Sequence, residues 1–420
     1  MKLNDLPKGT VKAAAAAGRY RLLRTAQSVL NVKGADWKEQ HRTVWCSRSL
    51  KYFDETVGVF QNASKDGATL TGLNRCGCVH TCPVCAAKIG EHRRKELNAG
   101  MVAHVKNGGT AYLFTYTFPH DRDMPLTDLL EKFDKARNGF QNSKKWKSLK
   151  KANKTIGVVN SLEFTVSLEN GWHPHLHMLV FCDKQGFGHD EKIVSTHGDL
   201  DSRLIRELKK LWVERLFKAG LGDQSKITDM MEHALNVRGG EKAAEYIAKF
   251  GRDEHWGASS EMTRGHAKVG GAGQKWGLQH FTPFQLLVWA EAGDGWAIHR
   301  FREYAEAVAG KRALTWSPGL KKSLGIDDLT DEELSENDTP RPDQVKIGVL
   351  TGKQYAVLLS RRQVPEFIEY AGTCAVGQDC IDEFVEAVRT IPRQASGAIL
   401  LKNRFGGGKT VAHALGIVGE

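Results

Sequence analysis

The chain has 420 residues, of which 41% are hydrophobic and 26% charged; this is ordinary globular composition and excludes a collagen-like, disordered or membrane-bundle protein. At roughly 100–200 residues per domain the length accommodates two or three domains. Sixty Lys and Arg against 49 Asp and Glu leave a net charge of +11, a surplus that suits polyanions such as nucleic acid or anionic lipid without choosing between them.

In chain order, residues 1–40 read as a basic leader with no clear period. Its five consecutive alanines, Ala13 to Ala17, are too short for a signal-peptide core. No apolar run approaches the roughly 18 residues that span a bilayer, so a cytoplasmic protein without membrane contact is expected. Residues 41–100 read as a zinc-binding module. Of eight cysteines, Cys76, Cys78, Cys82 and Cys85 fall within ten residues, which is metal-ligand spacing rather than a disulfide framework. These four are the expected Zn²⁺ ligands of a closed structural site. Two sulfurs as close as Cys76 and Cys78 are unusual on one zinc, which leaves His80 or the distant Cys46 open as a replacement. A redox pair is the competing reading of Cys82-Pro-Val-Cys85. Cys46, Cys182, Cys374 and Cys380 stand apart and are expected as free thiols.

Residues 101–275 alternate β-rich runs with amphipathic stretches. Strands are expected at Thr110–Phe118, Val158–Ser167 and His173–Phe181, the last two joined by a hairpin at Asn170-Gly171. Between the first two strands, Lys144, Lys145 and Lys147 flank Trp146 on a basic helix. Together with Arg93 and Arg94 they suit a phosphate backbone with a base stacked on the indole; a solvated charged helix is the plain alternative. From Asp201 to Ala219, Leu204, Ile205, Leu208, Leu211, Trp212 and Leu216 form a core-facing helical stripe. A Gly-rich stretch at 264–277 precedes a helical region at 276–326, and an acidic, Pro-containing linker opens the C-terminal region, 327–420, of no evident role. Gly406-Gly407-Gly408-Lys409-Thr410 ends like a P-loop, but Asn403 stands where its first glycine belongs, so no ATPase is expected.

The hairpin carries the chemistry. If it turns about Asn170, Thr165 opposes His175 and Glu163 opposes His177. Alternation then puts Leu162, Phe164, Val166, Leu176, Met178 and Val180 on an apolar face, and Ser161, Glu163, Thr165, His173, His175 and His177 on the other. Two imidazoles at i, i+2 with a carboxylate across the ladder make a facial metal site. Its open positions suit Mg²⁺ or Mn²⁺ acting as a Lewis acid on a phosphate. Further on, Tyr246, Lys249 and Phe250 share one helix face.

Trp172-His173-Pro174-His175-Leu176-His177 closely resembles the HUH motif of rolling-circle replication initiators, specifically the plasmid Rep proteins. Leu113–Phe118 resembles their first motif, and Tyr246-Ile247-Ala248-Lys249 resembles their single-tyrosine motif. Leu314–Leu320 is similar to a further stretch of such proteins, many of which carry a Cys-Pro-x-Cys knuckle. The resemblance implies an α+β fold, a ferredoxin-like central antiparallel sheet flanked by helices. It implies a site-specific single-strand DNA endonuclease and ligase acting on origin DNA, with a host helicase and DNA polymerase as partners. Tyr246 would attack a phosphodiester to give a 5′-phosphotyrosine and a 3′-OH primer, with Lys249 stabilising the developing charge. Phe250 stands where some relatives carry a second tyrosine. Termination is therefore left to a glutamate such as Glu241 or Glu245, or to the tyrosine of a second protomer in a homodimer. Another HUH enzyme, a relaxase or transposase, and a non-catalytic zinc-containing DNA-binding regulator are the rival readings.

Overall fold

The computed structural model describes residues 11–52, 56–183, 190–196, 198–239 and 280–393. The described residues begin with helix α1 (Val11–Leu30), within the stretch that the sequence suggested as a leader. The helix is embedded: Leu22 and Ala26 face the main core, Ala16 a second cluster and Leu23 a third. A helix packed on several sides shows no single apolar stripe, which is why no period was legible.

Strands β1 (Val57–Asn62) and β2 (Ala68–Thr71) precede helix α2 (Pro83–Lys106). Cys82 caps α2 by accepting the Cys85 amide, and Pro83 occupies its first turn, where a missing N–H costs nothing. Next come β3 (Thr110–Tyr116), α3 (Leu126–Gln141), α4 (Lys144–Ala152), β4 (Thr155–Ser167) and β5 (Gly171–Cys182). The short β6 (Lys192–Ile193) and β7 (Leu200–Asp201) pair with each other before α5 (Arg203–Lys218), α6 (Ile227–His233) and β8 (Leu235–Gly239). Helices α7 (Pro283–Glu291) and α8 (Gly295–Ala307) lead to β9 (Thr315–Trp316). The central sheet has the order β8-β3-β5-β4-β9, with every neighbouring pair antiparallel. The fold is thus mixed α+β around an antiparallel sheet.

The β4–β5 hairpin has a tighter register than the sequence suggested. Ser167 pairs with Gly171, so Glu163 faces His175, Thr165 faces His173 and Ser161 faces His177. Gly171 takes φ +70°, and a Cβ there would run into the Arg122 carbonyl, so the turn needs this glycine. The slip is two residues in pairing, which preserves parity and therefore both faces.

One face of the sheet packs Phe114, Tyr116, Leu176, Met178 and Val180 against Phe133 and Phe140 of α3, Trp212 of α5 and Phe301 of α8. The other face is divided. At one end Leu113, Val159, Leu179 and Phe181 lie with Leu97 and Met101 of α2; at the other stand Glu163, His175 and His177.

The C-terminal region does not stand apart. Strand β10 (Gln344–Leu350) pairs antiparallel with β1 in a second sheet of order β10-β1-β2. Helices Gly352–Ser360, Val364–Ala371 and Gln378–Arg389 share one core with those strands, through Val57, Leu70, Tyr355, Phe367 and Phe384. Strands from residues 41–100 and from the C-terminal region thus share one sheet and one core. Cys374 and Cys380, expected as free thiols, form a disulfide across a connection between two of these helices. Cys182 is free and buried, and burial pushes its thiol up to about 11. Among the described residues no helix is long and apolar enough to cross a membrane.

Candidate functional site

Glu163 Oε2 lies 3.2 Å from His175 Nε2 and 3.1 Å from His177 Nε2. Cis ligands about 2.1 Å from one octahedral centre are separated by about 3 Å, so these spacings fit the facial set of a six-coordinate hard cation. All three side chains are only part-exposed, 12% for Glu163, 20% for His175 and 13% for His177. Burial works to raise the Glu163 carboxyl, but the charge and hydrogen bonds of His177 and His175 outweigh it and hold Glu163 well below the usual carboxylate range. On β3, Thr115 pairs with His177, and its Oγ1 lies 3.1 Å from His177 Nδ1. That contact orients the ring so that Nε2 points at the carboxylate. The Nδ1 of His175 is buried with no hydrogen-bond partner among the described residues.

Two contributors were missed in sequence. Thr115 depends on the β3–β5 register, which no local pattern encodes. His120, in the connection after β3, places Nε2 3.2 Å from Nδ1 of His173 and had no periodic signal at all. Asn236 of β8 pairs with Thr115, so Asn236, Thr115, His177 and Ser161 form one row across the sheet. Tyr246 and Lys249, with Glu241, Glu245 and Phe250, lie outside the described residues.

The second assembly is the sulfur cluster. Cys46, Cys76, Cys82 and Cys85 bring their sulfurs within 4.8 Å of one another, and all four are buried. The Cys46–Cys82, Cys46–Cys85 and Cys76–Cys85 sulfurs are 3.5, 3.7 and 3.7 Å apart. Four sulfurs about 2.3 Å from one tetrahedral centre would be about 3.8 Å apart, so this cluster could bind zinc. Cys46 takes the place given to Cys78 in sequence. It arrives at the end of the short 3₁₀ turn Arg42–Trp45, whereas the Cys78 sulfur turns to the Cys76 carbonyl at 3.6 Å. His80 is engaged elsewhere, its Nδ1 3.2 Å from the Tyr304 hydroxyl; burial pushes it down to about 4.

The basic residues divide. Arg93 is buried, with Nε and Nη2 donating to Asp331 at 2.9 and 2.7 Å and Nη1 to Glu96 at 2.6 Å. Its guanidinium is thus engaged within the protein, as a structural clasp. Trp146 is 2% exposed and packs on Phe114 and Phe140, so its ring face is closed to a stacked base. With Leu149 it forms the apolar stripe of α4. Arg94 pairs with Glu91, and Lys145 with Glu207; Lys144 and Lys147 are exposed.

Residues 69–198 match the family described as replication protein. That span holds Cys76, Cys82, Cys85 and the whole Glu163–His175–His177 group, with Cys46 and Tyr246 beyond it. Among characterised proteins, Protein rep of Streptomyces lividans is 27% identical over 329 residues, 65% of this chain and 69% of that protein. A protein named neomycin resistance protein, from Streptomyces cyanogenus, is 27% identical over 194 residues, 40% of this chain and 43% of its own. No solved structure matches. The family match and the Streptomyces lividans relative support a replication role, with the DNA binding such a role entails.

Proposed function

We propose that the protein initiates rolling-circle replication of a plasmid as a nickase of the HUH type, cutting single-stranded origin DNA and rejoining it. The observation that carries this reading is the single carboxylate oxygen of Glu163 held 3.1 and 3.2 Å from two imidazole nitrogens of one strand. Glu163, His175 and His177 would hold Mg²⁺ or Mn²⁺. Such a cation, when bound, supplies Lewis acidity to the scissile phosphate.

The chain's own groups do the rest. Tyr246 loses its phenolic proton and its oxygen attacks phosphorus; the 3′ oxygen of the upstream nucleotide leaves and takes up a proton. The products are a 5′-phosphotyrosine and a 3′-OH able to prime a polymerase. Bond energy is conserved in the adduct, so a returning 3′-OH reverses the step and reseals the strand. Lys249 lowers the cost of the developing negative charge. Thr115 keeps His177 in the ligating orientation. The zinc reading attaches to Cys46, Cys76, Cys82 and Cys85 as a closed structural site.

The test is a denaturing gel of purified protein with single-stranded origin DNA and Mn²⁺, beside Tyr246→Phe. A nuclease-sensitive covalent adduct in the wild type alone is expected. Intact DNA in both lanes, with binding demonstrated, would sink the nickase reading and favour a non-catalytic regulator.

A further inference from the structure

Arg75 follows β2 and is 6% exposed. Its Nη1 donates to the Tyr20 hydroxyl at 3.1 Å and to Ser47 Oγ, and its Nη2 donates to the Leu70 carbonyl at 2.8 Å. No Asp or Glu among the described residues lies within ion-pair distance of it. The other cations near the sulfurs differ: Arg42 pairs with Glu332, and Lys88 with Asp338. A guanidinium stays protonated in proteins, and a buried charge with no opposite charge is expensive.

The sulfur cluster lies one side chain away. Ser47 Oγ, which Arg75 grips, is 3.6 Å from Cys46 Sγ. A divalent ion with four thiolates carries two net negative charges, too many for a dry core without a nearby cation.

We propose that Arg75 is the counter-charge of the four-sulfur site, a positioning residue that helps to hold the metal in place. It also ties that site to the rest of the molecule. Tyr20 belongs to α1, and the carbonyl of Ser47 accepts from Tyr355 Oη at 2.7 Å, on the helix Gly352–Ser360. Metal loss would strand a buried guanidinium at the point where α1, the sulfur loops and the C-terminal helices meet.

The role rests on the zinc reading, so the metal content of the purified full-length chain is measured first. Zinc transfer to a competing chelator is then followed in wild type, Arg75→Gln and Arg75→Lys. Gln is neutral but still donates hydrogen bonds, whereas Lys keeps the charge and loses the fork. A counter-charge predicts about tenfold or faster zinc loss from Arg75→Gln and near wild-type retention by Arg75→Lys. Stripping the metal should also lower the melting temperature more in wild type than in Arg75→Gln, because only wild type keeps the unpaired cation. The reverse order, Gln retaining and Lys losing zinc, makes Arg75 a hydrogen-bonding strut and overturns the proposal. Equal retention in all three also overturns it. Wild-type protein without zinc overturns the zinc reading itself, and Arg75's role with it.

Discussion

The four-sulfur cluster and the Glu163–His175–His177 group are both sets of potential ligands, yet they are built in opposite ways. The sulfurs come from the end of a 3₁₀ turn, a loop and the first turn of α2, and every one is buried. Their spacing closes a tetrahedron, which leaves no position for a substrate. The carboxylate and imidazoles stand on two adjacent strands of a half-polar sheet face, part-exposed. Three ligands on one side of an octahedral ion leave the opposite side free. Saturation and burial suit holding a fold together, whereas an open face suits chemistry.

That contrast can be broken by substitution. Glu163→Ala should reduce nicking by about 10³-fold, about 4 kcal/mol in barrier, and leave the melting temperature within a few degrees; a cleavage assay and a thermal melt on one preparation decide it. Cys82→Ser should do the opposite, removing zinc and about 3 kcal/mol or more of stability. The folded fraction should retain activity, as read by denaturant unfolding with metal analysis. If Cys82→Ser were as stable as wild type, the closed site would not be structural. The smallest effect is expected from Thr115→Val, which removes only the contact on His177 Nδ1; a loss of about tenfold in nicking and a weaker response to Mn²⁺ should follow, visible as a shifted metal titration.

Much of the geometry of the Glu163–His175–His177 face was legible because strand parity is robust. Glu163, His175 and His177 share a face whether pairing sums to one value or slips by two residues, and the apolar residues between them fix which face is buried. The details that failed are those set by distant partners. Arg93 and Trp146 looked like DNA contacts because a basic run with an aromatic reads the same whether exposed or packed. Only Asp331 and Glu96 for Arg93, and Phe114 and Phe140 for Trp146, reveal burial. Cys46 was one of two replacements left open for a crowded Cys76–Cys78 pair, and the approach of the Arg42–Trp45 turn to α2 selected it over His80.

By itself the sequence determined what local periodicity and spacing encode: the hairpin, its two faces, the cysteine cluster, the helical stripes and the net charge. Tertiary structure decided what needs two distant segments to meet. It chose the fourth sulfur, set Thr115 against His177 and His120 against His173, buried α1 on several sides and joined β10 to β1. The physical reason is that alternation and helical period are properties of consecutive residues, whereas register between non-adjacent strands, burial of a charge and closure of a ligand shell depend on which surfaces pack together.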